Sequence, residues 1–287
     1  MMSDVEERME IPVADIRALM QEAGSILKQR EYTQGIVIEK KDGCANYATQ
    51  YDYHVQQFIK NGIKKVLPGC SFFAEENDGE GNRIGGMTVY LDPIDGTMNF
   101  IHGCRECSIS LAVAVNGCTQ YAAVYLPYLD EMFEAQRGKG ATCNGRPIHV
   151  SNRSTEESLI IVGTASYYKQ EIGKRVMDIT TALFYTAADI RRYGSAVAEM
   201  CYVACGRAEA SFEFRLYPWD YAAGALIVQE AGGRVSAMDG RPLSMWQPGS
   251  MLCGNPAVYE QALAICKANG RPCPKSNPAP GGNEYEK

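Results

Sequence analysis

Two carboxylates stand three positions apart in the stretch Asp92-Pro-Ile-Asp-Gly-Thr-Met-Asn-Phe100. Pro93, between them, fixes φ and removes a backbone donor, which leaves the turn few geometries. Gly96 can take φ > 0 or let a ligand come close to the backbone. Thr97 adds a hydroxyl where a helix, with its free N–H groups, can begin. Two acids, a permissive glycine and a helix start are the parts of a site for hard cations and phosphate. The same letters also serve as plain Asp-Pro and Asp-Gly turn residues, so the surrounding chain decides between the two. Upstream, residues 87–91 alternate and are β-branched, which predicts a buried strand ending at Asp92.

The stretch resembles the D-P-[IL]-D-G-T signature of the inositol monophosphatase family, metal-dependent and lithium-sensitive phosphatases. The family's second signature, Trp-Asp leading into a small-residue helix, is matched by Trp219-Asp-Tyr-Ala-Ala-Gly224. Its upstream acid pair is matched by Glu75-Glu76, and the resemblance runs from about residue 11 to about residue 265. It implies an α/β fold, the layered αβαβα sandwich of the inositol monophosphatase and sugar phosphatase type, with antiparallel sheets between helix pairs. It also implies Mg²⁺-dependent hydrolysis of a small phosphate monoester, inositol-1-phosphate first, using two or three Mg²⁺ ions. Fructose-1,6-bisphosphatase and 3′(2′),5′-bisphosphate nucleotidase are the alternatives within the superfamily, and a non-catalytic metal- or phosphate-binding protein is the distant one. Those nucleotidases usually place Lys-Glu after D-G-T, whereas Met98-Asn99-Phe100 stands here, closer to the inositol phosphatase pattern.

The resemblance also implies roles. Glu75, Asp92 and the Ile94 carbonyl would hold one Mg²⁺, and Asp92, Asp95 and Asp220 a second, with Asp92 bridging. Thr97, oriented by Asp52, would place the attacking water beside Glu75 and its ion, and the N–H groups of Gly96 and Thr97 would cradle the phosphoryl oxygens. Backbone groups at Ser195 and Ala196 would contact the substrate, and Glu213 would hold its hydroxyls, a charge that disfavours bisphosphates unless Arg215 or another cation offsets it. Lys41, or Lys40, matches a family lysine. Each has a plainer reading. Asp52 and Asp220 suit helix N-termini, Ser195 is a helix N-cap, Glu213 an exposed strand-end charge, and the lysines a solvated hairpin tip.

The elements that must carry these residues follow in order. Val13, Ile16, Leu19, Met20, Ala23 and Leu27 predict a first amphipathic helix, and residues 35–38 a short strand with a turn over 39–43. Val55, Phe58, Ile59, Ile63 and Val66 predict a second helix beginning at Asp52 and stopped by Pro68-Gly69. Residues 70–74 predict a strand running into the Glu pair, and residues 77–86, with four glycines, a loop. Strands are expected over 108–115, 119–126 and 131–135, the first two joined by the Asn116-Gly117 turn. The pattern over 167–181 is weakly helical, and a helix through Ala198, Cys201, Tyr202 and Cys205 stops at Gly206. Residues 208–214 predict a strand, and Asp220 opens the last major helix, closed by Gly232-Gly233. A polar stretch at 151–158 divides an N-terminal half, 1–155, from a C-terminal half, 156–270, and the Pro- and Gly-rich tail 271–287 lacks any apolar run.

Of 287 residues, 46% are hydrophobic and 22% charged, and the formal net charge is −6, so a nucleic acid polymer is not an expected partner. An acidic protein acting on an anionic substrate needs cations to invert the local field. No signal peptide or membrane span is evident, which with 11 cysteines and three histidines is read as a cytoplasmic protein with reduced thiols. Cys104 and Cys107 form a C-x-x-C without a second pair to complete a zinc site. The expected partner is a small phosphate substrate, with no membrane, and the resemblance adds a homodimer.

Overall fold

The computed structural model describes residues 11–29, 36–41, 46–76, 82 and 85–269. The chain opens with α1 (Val13–Lys28), a hairpin of β1 (Ile38–Lys40) and β2 (Tyr47–Thr49), and α2 (Gln50–Val66). Then come β3 (Ser71–Ala74), β4 (Met87–Asp95) and the short α3 (Thr97–His102). A meander follows: β5 (Ser108–Val115), β6 (Cys118–Leu126), β7 (Glu131–Gln136), β8 (Ala141–Cys143) and β9 (Arg146–Ile148). The remainder is β10 (Leu159–Val162), α4 (Lys169–Phe184), β11 (Asp189–Arg191), α5 (Ala196–Ala204), β12 (Ala210–Leu216) and α6 (Pro218–Glu230). It closes with β13 (Arg234–Ser236), β14 (Gly249–Gly254) and α7 (Pro256–Ala268).

Period-two alternation sorts the strands' side chains into separate cores. Val89 and Leu91 of β4, Ile109, Leu111 and Val113 of β5, and Tyr121 and Ala123 of β6 face α1 and α2. Their neighbours Tyr90, Ala112, Ala114, Ala122 and Val124 face the other way, onto α5 and α6. In the second sheet Ile161, Met251 and Cys253 also turn toward α5 and α6, while Ile160, Phe212 and Leu252 turn toward α4 and α7. The result is five layers: α1 and α2, a seven-stranded sheet, α5 and α6, a five-stranded sheet, then α4 and α7. This is the expected αβαβα sandwich. A stripe of small residues lets the central helices close up; a Cβ on Gly224 would stand 2.7 Å from Met200 Sδ.

Three expectations are corrected. The sheets are mixed, because β3 runs parallel to β4, and β10 runs parallel to both β11 and β12. α4 supplies the crossover from β10 to β11, and α5 follows β11 on the way to β12. The short strand expected over 35–38 lies over Ile38–Lys40 instead, in a two-stranded hairpin that leaves Val37 and Ile38 exposed. Finally, α6 is not the last major helix. α7 follows, its start marked by Asn255, whose side chain accepts the Val258 N–H at 2.9 Å, and by Pro256 in the first turn. Gly35, residues 42–45, most of the 77–86 loop and the 271–287 tail lie outside the described residues.

Candidate active site

β4 does not stop at Leu91; it runs on through Asp92 and Pro93 to Asp95, with its register against β5 shifting between the two acids. Proline supplies no N–H for the ladder, and the shift accommodates it. The Asp92 carboxylate accepts the Ile94 N–H at 2.9 Å, which fixes the turn from inside. Gly96 then takes φ 93°, the left-handed region, and caps α3. A Cβ there would stand 3.0 Å from the Glu106 carbonyl and 3.1 Å from that of Gly194, so the glycine is needed for space as well as for φ. Asn99 bolts the corner down, donating to the carbonyls of Glu106 and Tyr193, each at 2.6 Å. Phe100 is fully buried against Tyr51. The Asn99-Phe100 pair therefore does structural work in this fold.

The remaining acids arrive from other elements. Glu75 follows the end of β3, and its N–H bonds the Leu91 carbonyl at 3.1 Å, so the ends of two parallel strands deliver Glu75 and Asp92 side by side. Asp52 sits in the first turn of α2, where its carboxylate accepts both the N–H and the hydroxyl of Thr49 at 2.6 Å; the Thr97 hydroxyl approaches it at 3.5 Å. Thr97 also donates to the Ile94 carbonyl at 3.1 Å. Asp220 sits in the first turn of α6 and accepts the Tyr217 N–H at 2.7 Å. Asp95 reaches across to the start of α5, taking the Ser195 hydroxyl and the Val197 N–H at 2.7 Å and the Ala196 N–H at 3.1 Å. Three helix N-termini, with their partial positive charge, thus point at one acid cluster.

Ser195 occupies the N-cap position, but its side chain does not cap α5. Its hydroxyl instead bonds Asp95 and meets the Ser108 hydroxyl at 3.0 Å, while Asp95 closes the helix end from outside. Glu199 completes the arrangement, accepting the N–H groups of Tyr193 and Gly194 at 3.0 and 2.8 Å. Burial pushes the Glu199 carboxyl up to about 8.

The electrostatics mark the cluster as unsatisfied by protein alone. Burial, then repulsion from Glu75, Asp95 and Asp220, holds Asp92 well above the usual carboxylate range. Asp220 is raised by burial and then by Glu75 and Asp95. Asp95 is raised too, burial outweighing its bonds to Ser195, Val197 and Ala196. Asp52 is pushed up to about 6, chiefly by burial. Carboxylates with a backbone carbonyl nearby are the donor set of a hard divalent cation, and crowded buried acids need either protons or such a cation. Among the described residues no three His, Cys, Asp or Glu side chains stand as a preformed ligand set, because their oxygens are turned toward protein donors.

Lys41 is not a solvated hairpin tip. Its ammonium lies 3.0 Å from Glu75 and 2.5 Å from Glu76, and those charges outweigh burial to hold it above the usual range. Lys40, on β1, is exposed. Sequence reasoning passed over Glu76, which is 4% exposed and whose backbone is clamped by Gln56 at 2.7 and 3.0 Å. Burial first, then Glu75, pushes it up to about 8. Adjacent glutamates look alike in a sequence; only the fold, in the bend past the end of β3, shows Glu76 buried and Glu75 partly open.

Glu213 is not an exposed strand-end charge either. It accepts the Ala165 N–H at 2.8 Å and the Phe214 N–H at 3.2 Å, and burial pushes it up to about 7. The cation whose charge reaches it is Arg192, whereas Arg215 pairs with Glu171 at 2.7 Å. Tyr167, absent from every motif, lies on the Ser166–Tyr168 turn ahead of α4. Burial, then Glu75, Asp220, Asp95 and Asp92, raises its phenol well above the ordinary value. Cys104 is exposed and Cys107 buried. No helix among the described residues is long and apolar enough to cross a membrane.

Comparison with known proteins agrees with this geometry. The Nus factor SuhB of Salmonella typhimurium is 34% identical over 245 residues, covering 84% of this chain and 90% of that protein. The extragenic suppressor protein suhB of Bartonella henselae superimposes with a TM-score of 0.82 at 29% identity, over 89% of this chain and 98% of that one. The IMPase of Thermotoga maritima does so with a TM-score of 0.80 at 32% identity, over 90% of this chain and 96% of that one. With the inositol monophosphatase family model matching residues 9–271, both sheets and all the acids of the cluster included, the chain belongs to the inositol monophosphatase family.

Proposed function

We propose that this chain is a Mg²⁺-dependent phosphatase acting on a small phosphate monoester, inositol-1-phosphate first among them. The observation that carries this reading is the gathering of Glu75, Asp92, Asp95 and Asp220 from three parts of the chain into one cluster, in which Asp92, Asp95 and Asp220 are raised by burial and by the charges around them. Family members are generally Mg²⁺-dependent, and Glu75, Asp92, the Ile94 carbonyl, Asp95 and Asp220 would hold the ions here. Bound Mg²⁺ supplies an activated water and neutralises charge developing on the leaving oxygen.

The chain's own residues do the positioning. Thr97 and Asp52 would orient the attacking water, their oxygens already 3.5 Å apart. The N–H groups of Gly96 and Thr97, at the turn into α3, would bind phosphoryl oxygens. Glu213 would accept hydrogen bonds from substrate hydroxyls, and its carboxylate would disfavour a second phosphate. Phosphate-monoester hydrolysis is so slow in water that this placement of charge must supply nearly all the acceleration.

The test is phosphate release from inositol-1-phosphate with Mg²⁺ and again with EDTA, beside fructose-1,6-bisphosphate and adenosine 3′,5′-bisphosphate. Release that requires Mg²⁺ and favours the inositol ester is expected; no release from any of the three overturns the reading. The SuhB relatives, named Nus factors, favour a second reading, a transcription-related role. That role becomes the better one if the cluster binds Mg²⁺ and no ester is hydrolysed.

A further inference from the structure

The Arg192 side chain connects two walls of the candidate site. Its Nε donates to the Thr164 hydroxyl at 2.9 Å. Thr164 lies between Gly163, where an added Cβ would stand 2.2 Å from the Glu213 carboxyl, and Ala165, whose N–H bonds that carboxylate at 2.8 Å. The far end of the guanidinium lies on Gly194: an added Cβ there would stand 3.0 Å from Arg192 Nη1 and 3.5 Å from its Cζ. The Gly194 carbonyl in turn is 3.1 Å from where a Cβ on Gly96 would be, at the turn into α3. The guanidinium therefore reaches from the neighbour of Glu213 to the neighbour of Gly96. The backbone after it is fixed, because Glu199 accepts the Tyr193 and Gly194 N–H groups and Asn99 donates to the Tyr193 carbonyl.

What this guanidinium lacks is a carboxylate. Arg17, Arg153, Arg191, Arg207 and Arg215 each pair with an acid. Arg192 is exposed and, among the described residues, pairs with none. Glu213, close by, is held instead by the Ala165 and Phe214 N–H groups. Anchored through Nε, Arg192 keeps its two terminal nitrogens for a ligand, and that planar fork fits a phosphate or a carboxylate.

We propose that Arg192 is a specificity-determining residue, its terminal nitrogens binding a second phosphate carried by the leaving group of the substrate. The inference rests on the phosphatase reading. The anchor on Thr164, next to Glu213, puts this contact on the leaving-group side of the site. Glu213 and Arg192 then set opposite preferences on one wall. The carboxylate takes hydroxyls and repels a second phosphate, and the guanidinium offsets that repulsion. Sugar and polyol bisphosphates are thereby admitted beside the monophosphates.

The experiment compares fructose-1,6-bisphosphate with fructose-1-phosphate, two ligands that differ only in the second phosphate, on wild type and Arg192→Gln. Binding to the Mg²⁺-loaded protein is read from tryptophan fluorescence on rapid mixing, before turnover, and phosphate release is followed beside it. Wild type should bind the bisphosphate at least as tightly as the monophosphate. Arg192→Gln should weaken the bisphosphate about tenfold and the monophosphate less than about threefold, the loss of a charge-assisted contact made by one ligand alone. Equal weakening of both ligands, which a merely structural role for the Thr164 contact would give, overturns the proposal. So does weakening of neither, and so does a wild type that binds no bisphosphate. A wild type that binds both ligands and releases phosphate from no ester sinks the phosphatase reading alone, and the variant's binding ratio then decides on Arg192.

Discussion

Asp92 is the residue on which the proposed chemistry turns, since Glu75, Asp95 and Asp220 all act on its charge. Replacing it with asparagine keeps the shape and an acceptor for the Ile94 N–H while removing the charge two cations would share. Asp92→Asn should lower kcat by at least ~10²-fold, roughly 2.7 kcal/mol of transition-state stabilisation. The fold should survive, because the variant relieves repulsion when no cation is bound. A kcat within about threefold of wild type would remove Asp92 from the machinery. At this scale the sequence was most legible where residue type alone dictates chemistry. Asp92 and Asp95 are marked by their spacing and by Pro93 and Gly96, and Asp220 by Trp219, whereas Glu75 is singled out from the Glu75-Glu76 pair only by the family resemblance. Glu76 carries no such mark, and its burial beside Lys41 shows only in the folded chain.

The working element is the corner from β4 into α3, and Gly96 is its hinge pin. Alanine there would meet two carbonyls as well as adopt φ 93°. Gly96→Ala should cost about 1–3 kcal/mol of stability. It should cut kcat/KM by more than that loss explains, because relieving the clash moves Thr97 and the Asp95 carboxylate together. Thermal melts beside kinetics will separate the two; a variant with wild-type kcat/KM would show the corner to be slack. The corner's existence was readable from Asp-Pro and Gly-Thr. Its true extent was not, since strand pairing persists past Pro93 through a register shift that only the partner strand β5 can supply. In the same way Ser195 reads as a cap by type, yet the acid that closes α5 comes from a hundred residues upstream.

For the molecule as a whole, the central α5–α6 layer joins the two sheets and carries Glu199 in its interior. Glu199 and Glu76, both raised from an ordinary 4.5 to about 8, set a pH dependence. The folded chain retains protons that the unfolded chain releases. The stability they contribute is therefore complete below about pH 4.5 and is lost as pH rises through about 8. Glu199→Gln keeps an oxygen for the Tyr193 and Gly194 N–H groups and cannot ionise. Melting temperatures taken in EDTA should fall from pH 5 to pH 9 for wild type and fall less for the variant, by roughly several degrees. Parallel curves would assign the loss to other groups. The layered plan came with the family resemblance, and periodicity marked single strands and helices; the parallel pairings were not legible, because strand direction depends on which strands the fold sets side by side.

Asp95 closes the first turn of α5 with the same oxygens it would offer a cation. The amide protons of Ala196 and Val197 are thereby held by a group whose loyalty is divided. Their exchange with solvent becomes a clock for the acid corner, running at the rate at which Asp95 lets go of the helix. An ion held by Asp95 would then be felt inside the layer that joins the two sheets, and the exchange of these two amides would report its loading without any substrate.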